Sequence, residues 1–330
     1  MAQQSWASDS GASGFRTVVD ISKKVVHAAQ PMMKFRQFTS VDDAFGKNKG
    51  ESVQIYRAGN TDEESESAAI NELDRIPTLS VAVTPKLITV NEWGRAIPFT
   101  GKVETLAEVD VESNVYLKAL KNHMAKTLDR QVATAFKSTD LIATPRTTGI
   151  DWEVDGTASS AANTSITAAL LKDIVDAMKV GVFGASTGRP IPYYDGESYV
   201  CIASVSFLRA LKDDPDYEVA AKYAHPEDLY LGEVGRFYNV RFIESNHTNA
   251  LDNSLSTSFS GEAVIFGEDP VREIVAIPEE VRAKLPEDYG RDKGIAWYAM
   301  LGWGRVWDFS ADSEEHIVLI TDNASTAGAA

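Results

Sequence analysis

The chain has 330 residues, 44% hydrophobic and 24% charged, an ordinary balance for a globular protein that buries a sizeable core in more than one subdomain. Its formal net charge of −16 argues against sequence-independent binding of nucleic acid over a large face, which depends on Lys and Arg neutralising phosphates. No apolar run approaches the roughly 20 residues of a membrane-spanning helix, and residues 1–14 lack the basic start and apolar stretch of a secretory signal.

Residues 1–14 are polar and rich in Ser, Ala and Gly, and read as an arm. Val18, Val19, Ile21, Val25 and Val26 predict a short amphipathic helix over residues 17–30, which Pro31 ends. Met32, Met33, Phe35 and Phe38 follow as an apolar cluster with little to pack on locally. Such a segment gains burial by lying across another part of the fold or across a neighbouring molecule. Residues 52–56 alternate polar and apolar as a strand does. After the polar tract 59–66, a second extended stretch covers 78–93, and residues 97–103 continue in β-like composition. These predict a long hairpin with an acidic tip, a ribbon that is marginal until something covers its apolar face.

A helix is predicted over residues 110–137, with Asp110 as N-cap, Glu112 in the first turn and Lys137 near the negative end. Leu117, Leu120, Met124, Leu128, Val132 and Phe136 form its apolar stripe, and no Pro or Gly interrupts it. At 1.5 Å per residue it makes a rod of roughly 40 Å, long enough to serve as a spine. Residues 144–163, with Pro145, Gly149 and Gly156, read as a loop or subdomain boundary. A second helix is predicted over 165–180, a strand over 198–203 and a helix over 205–211. Short helical pieces follow near 217–223 and 226–231, and a strand over 240–244. Strands over 262–266, 271–277, 294–307 and 316–320 complete the chain. In the third of these Ile295, Trp297, Ala299, Leu301 and Trp303 alternate, giving one apolar face. Gly302 and Gly304 weaken that strand unless a bulge or a close backbone approach requires them.

The charge is uneven. The first fifty residues lean basic, with Arg16, Lys23, Lys24, Lys34 and Arg36, whereas Asp62, Glu63, Glu64 and Glu66 make the hairpin tip acidic. A basic arm and an acidic loop on one chain are expected to meet between neighbouring copies, because complementary potentials steer encounter and fix register. Solvation of an ordinary surface is the simpler account of the same charges.

Reactive groups are sparse. Cys201 stands alone in an apolar stretch with no adjoining base, the setting of a buried, inert thiol. His27, His123, His225, His247 and His316 form no HExxH pair and no metal-ligand spacing. Residues 181–190 carry glycines like a phosphate loop but lack its Lys-Ser/Thr, and Pro190 stands where that motif runs into a helix. Adjacent carboxylates such as Asp213-Asp214 and Glu314-Glu315 are expected in a chain this acidic. Whether any two of them face one substrate depends on their separation in space. No catalytic residue, cofactor or metal is assigned.

The order of these elements is an arm, an acidic-tipped hairpin, a long helix, an α/β block and C-terminal strands. It resembles the major capsid proteins of tailed bacteriophages with the HK97-type fold, over residues 17–320. Local wording that resembles the family is Pro31-Met-Met-Lys-Phe-Arg-Gln-Phe38, Gly50-Glu-Ser-Val-Gln-Ile-Tyr-Arg57, Gly261-Glu-Ala-Val-Ile-Phe-Gly267 and Gly294-Ile-Ala-Trp-Tyr-Ala-Met-Leu-Gly-Trp-Gly304. The resemblance implies an α+β fold with an N-terminal arm (1–49) and an extended loop (50–104) reaching over a neighbour. It further implies a peripheral domain with the spine helix (105–155), an axial domain (156–260), and C-terminal peripheral strands and tail (261–330). It implies a shell of hexamers and pentamers enclosing double-stranded DNA without specific binding. Scaffolding, portal and decoration proteins would be the partners, with no membrane involved. The protein would be assembled in the host bacterial cytoplasm and end in the virion. Two other readings remain at this point: a nanocompartment shell of the encapsulin type with the same architecture, and an acidic hydrolase with a dispersed site.

Overall fold

The computed structural model describes residues 33–42, 50–58, 75, 81, 83–107, 115–158, 162–216, 233–252, 261–285 and 288–321. The helices expected over 17–30, 217–223 and 226–231, and the capping residue Asp110, lie outside the described residues.

The chain enters through a 3-10 turn, Arg36–Phe38, into strand β1 (Thr39–Asp42), which the sequence pattern had not suggested. Phe35 is fully buried against the ring of Phe136, so this part of the N-terminal segment finds its cover on its own chain. Strands β2 (Ser52–Ala58) and β3 (Val83–Thr89) pair antiparallel, from Ser52 opposite Thr89 to Ala58 opposite Val83. The expected hairpin is therefore present at its root. Its second arm breaks after Val90, and β4 (Asn91–Thr100) leaves to join another sheet. The expected extended run to 103 stops at Thr100, where helix α1 (Gly101–Leu106) begins and the Gly101 N–H donates to the Arg291 carbonyl.

Helix α2 (Leu117–Lys137) is the spine. Leu120, Leu128, Val132 and Phe136 of its stripe are buried, and Leu117 and Met124 pack at the margin of the same face. Strands β5 (Leu141–Arg146) and β6 (Gly149–Glu153) form a hairpin where a loop was expected. Pro145 misled the sequence reading; it falls beyond the residues of β5 that pair with the strand on its other side, so its missing N–H breaks no bond there.

Helix α3 (Ala168–Val180) starts three residues later than expected, where the Thr167 hydroxyl accepts from the Leu170 N–H, and ends on Gly181 with a left-handed φ of 79°. A two-residue pair follows, β7 (Val182–Phe183) and β8 (Ser186–Thr187), so the glycine-rich stretch is a tight turn closing on α3. Strand β9 (Tyr199–Ser204) runs into helix α4 (Val205–Lys212), capped by Ser204. Strands β10 (Glu233–Phe237) and β11 (Val240–Ser245) form a further hairpin.

Strand β12 (Ala263–Phe266) precedes the long hairpin of β13 (Val271–Ala283) and β14 (Asp292–Arg305). β13 runs six residues past its expected end, through a polar, bulged stretch with Pro278 that has no clean alternation to read. The turn α5 (Phe309–Asp312) and strand β15 (Ile317–Ile320) close the described chain.

Among the described residues two large sheets organise these elements. A seven-stranded sheet has the order β10-β11-β9-β12-β15-β5-β6. Its central strands are buried on both faces, which explains their unbroken apolar runs Ala-Val-Ile-Phe and Ile-Val-Leu-Ile. One face packs on α3 and α4 through Cys201, Ala203, Ile265 and Val318; the other packs on the C-terminal half of α2 and on Phe35. In space β12 and β15 thus stand side by side between β9 and β5.

The second sheet has the order β1-β13-β14-β4 and is covered differently on its two sides. Ile295, Trp297, Ala299 and Leu301 face α2, whereas Ile274, Ala276 and Met300 face Ile88, Val53 and Ile55 of the β2–β3 hairpin. The hairpin and the spine helix therefore lie on opposite faces of one four-stranded sheet. Gly302 and Gly304 make the hairpin side possible: a Cβ at Gly302 would stand 2.5 Å from the Thr89 carbonyl oxygen, and one at Gly304 2.9 Å from Ile88 Cγ1.

Candidate assembly interface

The β2–β3 ribbon presents two rows of side chains. Val53, Ile55, Arg57, Thr84, Lys86 and Ile88 point to its own chain, and the intervening positions point outward. The inward row is held mainly by charge at the root. Arg57 is 4% exposed and reaches Asp312 at 2.6 Å and Asp308 at 3.4 Å; Lys86 reaches Asp308 at 2.5 Å, and the Thr84 hydroxyl donates to Asp312 at 2.8 Å. Arg305 extends the network to Asp308 at 2.6 Å and to Asp140 and Glu315 at 2.7 Å each. Burial works against ionisation of Asp308, yet Lys86, Arg305 and Arg57 together hold its carboxyl below the ordinary range. Glu315 goes the other way: burial outweighs Arg305, whose charge is shared among three carboxylates, and its pKa is pushed up to about 8.

The outward row is polar at Ser52, Gln54 and Thr89 and apolar and uncovered over the rest. Tyr56 is 69% exposed, Leu87 64% and Val83 55%, with Pro85 paired opposite Tyr56. Adjacent large exposed apolar side chains on a rigid ribbon mark an interaction surface. Leu285 and Tyr289, at the far end of the β13–β14 hairpin, are exposed as well. The charges around that end pair within the chain, Lys284 with Asp292 at 2.6 Å and Lys293 with Glu104 at 2.7 Å.

Of the residues selected from charge, Arg36 has a salt bridge to Glu273 at 2.7 Å and a second to Glu279, both in its own chain. Lys34 is half-buried at the start of the described segment. Arg16, Lys23, Lys24, Asp62, Glu63, Glu64 and Glu66 lie outside the described residues. The charge reading overlooked the outward row and the root network. One signal was available: Leu87-Ile88 within a strand places a large apolar side chain on each face of the ribbon. Asp308 and Asp312 gave none, because their partners on the hairpin are over two hundred residues away in the chain.

The potentially reactive groups are occupied structurally. Cys201 is fully buried, which raises its thiol well above the ordinary range. His247 Nδ1 lies 3.2 Å from Asp129 Oδ2, while Asp129 Oδ1 accepts from the Phe35 N–H at 3.0 Å. This buried node ties α2, the entering segment and the residues after β11 together; desolvation raises the Asp129 carboxyl, and His247 and the Phe35 amide oppose the rise.

The profile of the phage capsid protein family matches residues 83–312, a span running from the hairpin's second strand to the turn α5 that anchors its root. The chain belongs to the phage capsid protein family. No curated protein matches it significantly. Among solved structures it is similar to the head of Helicobacter pylori bacteriophage KHP40, at 12% identity over 93% of this chain and 96% of that one, with a TM-score of 0.69. The acid-stable capsid of Helicobacter pylori bacteriophage KHP30 gives 12% identity, 92% and 94% coverage and a TM-score of 0.66. The capsid of cyanophage Pam1 gives 13% identity, 93% and 96% coverage and a TM-score of 0.64. At these identities the likeness is one of fold. The subunit has the HK97-type capsid fold and is a major capsid protein. It forms the head shell by association with its own copies, is part of the virion, and is a structural protein and not an enzyme.

Proposed function

We propose that the subunit builds an icosahedral head of hexamers and pentamers around double-stranded DNA, in which the outward face of the β2–β3 hairpin is covered by a neighbouring copy. The observation that carries this reading is the pairing of a buried, charge-clamped inner row with the exposed outer row of Tyr56, Val83 and Leu87. A ribbon held rigidly by one face offers the other at little further cost in conformational entropy. The contact is heterologous, hairpin to a different patch, so copies close into rings and the rings tile a surface.

The domain division supported by this arrangement has an arm at 1–49, an extended loop at 50–104, a peripheral part at 105–155 and 261–330, and an axial part at 156–260. The axial sheet also takes in β5, β6, β12 and β15 from the flanking segments. Arg16, Lys23, Lys24, Lys34 and the exposed part of Arg36 form a basic arm suited to the acidic tip Asp62, Glu63, Glu64 and Glu66 of a neighbour. A scaffolding protein, a portal and a decoration protein are the further partners, and assembly takes place in the host bacterial cytoplasm.

Negative-stain electron microscopy of the purified full-length chain, with and without its scaffolding partner, tests the reading. Closed shells or rings of six and five are expected. The double variant Y56D/L87D is expected to stay soluble and folded by circular dichroism while losing assembly. Wild-type chain that remains monomeric at high concentration with the scaffold supplied would overturn the proposal.

A further inference from the structure

In a chain of net charge −16, helix α2 is a local exception. It carries Lys118, Lys121, Lys126, Arg130 and Lys137 against a single acid, Asp129. Asp129 is buried on His247, and Lys137 is taken up by Glu262 at 2.7 Å. The other four have no ion-pair partner among the described residues; Lys118, Lys121 and Arg130 are exposed and Lys126 is half-buried. Lys118, Asn122, Lys126 and Arg130 follow one another at intervals of four, steps of roughly 6 Å along one ridge of the helix. Arg95 on β4 is exposed and has the same strand parity as Trp93, Ile97 and Phe99, so it projects from the α2 side of the sheet. Lys126 and Arg130 are like charges one turn apart, an arrangement that weakens an isolated helix. His123, on the same stretch, is held below the ordinary imidazole range by partial burial first, and by Arg95 and Lys126 next.

We infer that this row, Lys118, Lys121, Lys126 and Arg130 with Arg95, contacts the phosphate backbone of duplex DNA on the inner surface of the shell. The inference rests on the shell reading of the hairpin, because position selects the occupant. The hairpin's outer row and the basic row lie on opposite faces of the four-stranded sheet, so a wall that engages neighbours through the first presents the second on its other surface. A run of long, flexible cations along one helix suits a uniform polyanion read by charge alone. Elsewhere the acidic surface repels DNA, so the row sets where the nucleic acid touches and leaves it free to slide.

The test is a salt titration of a 30-base-pair duplex against the full-length protein, read by fluorescence anisotropy. The variant K118Q/K121Q/K126Q/R130Q is compared with K172Q/K179Q/R209Q/K212Q, which removes the same charge from α3 and α4. Wild type and the α3/α4 variant are expected to bind with similar dependence on salt. The α2 variant is expected to lose about 3 from the slope of log K against log salt, and roughly 10- to 100-fold in affinity at low salt. Equal losses in the two variants would mean that overall charge alone matters and would overturn the proposal. So would an α2 variant that binds DNA normally but no longer assembles, which would assign the row to another copy of the chain. A wild-type protein that never forms shells overturns the shell reading instead, and the titration of that unassembled chain still reports on the row.

Discussion

Glu315 is 2% exposed and lies 2.7 Å from Arg305, yet its carboxyl is pushed up to about 8. The surrounding charges account for this. Asp140, Asp308 and Asp312 stand against Arg57, Lys86 and Arg305, so the buried network is balanced only while Glu315 keeps its proton. A carboxyl whose folded pKa lies above its ordinary value of 4.5 binds protons more tightly in the folded state. Its contribution is then complete below the ordinary range and is lost as pH rises through about 8. Thermal melts of wild type are expected to lose stability between about pH 5 and about pH 9, and melts of E315Q to be distinctly flatter over that window. Equal slopes in the two proteins would show that the proton on Glu315 is not what balances the site. Gly302 is the other decisive position, because its missing Cβ leaves room for the Thr89 carbonyl oxygen. Gly302→Ala is expected to cost about 2 kcal/mol in urea denaturation, since backbone on both sides must shift.

At the scale of elements, the hairpin is attached by two unlike means. Ile88 and Val90 pack on Ile274, whereas the root depends on Arg57 between Asp308 and Asp312. Removing Arg57 leaves the buried Asp312 without its counter-charge and Asp308 with Lys86 and Arg305 alone, a loss of about 3 kcal/mol at the site. Because the two-stranded ribbon is marginal by itself, that loss is expected to free the hairpin and not to unfold the sheets. Limited proteolysis of Arg57→Ala is expected to cut first within residues 50–90, with far-UV circular dichroism little changed. Global unfolding without early cleavage there would show that the root network supports the whole domain.

At the scale of the molecule, the subunit is a wall with two differently functionalised sides. The four-stranded sheet carries an apolar ribbon on one face and a basic spine on the other, and the seven-stranded sheet beside it is closed on both. A net charge of −16 per copy makes subunits repel one another at long range, while apolar cover acts only at contact. Added salt is therefore expected to lower the concentration at which shells form, followed by light scattering from about 0.05 to about 0.5 M. Salt that instead weakens assembly would mean that attraction between the basic arm and the acidic tip dominates over the net repulsion.

Periodicity and composition by themselves determined the spine helix, the central strands and the existence of a hairpin, because burial on one stripe or on both faces writes a pattern into consecutive residues. Even Gly302 and Gly304 were legible as a demand for close approach, though not for approach by what. Three matters were decided only in three dimensions. Pro145 sits harmlessly in β5 because of where its partner strand ends, and Arg36 is drawn to Glu273 across most of the chain's length. The opposition of the hairpin to α2 arises from the alternation of β14 combined with the order of its neighbours. Local patterns state which side chains need cover; long-range pairing, which costs loop entropy and leaves no mark on adjacent residues, decides what supplies it.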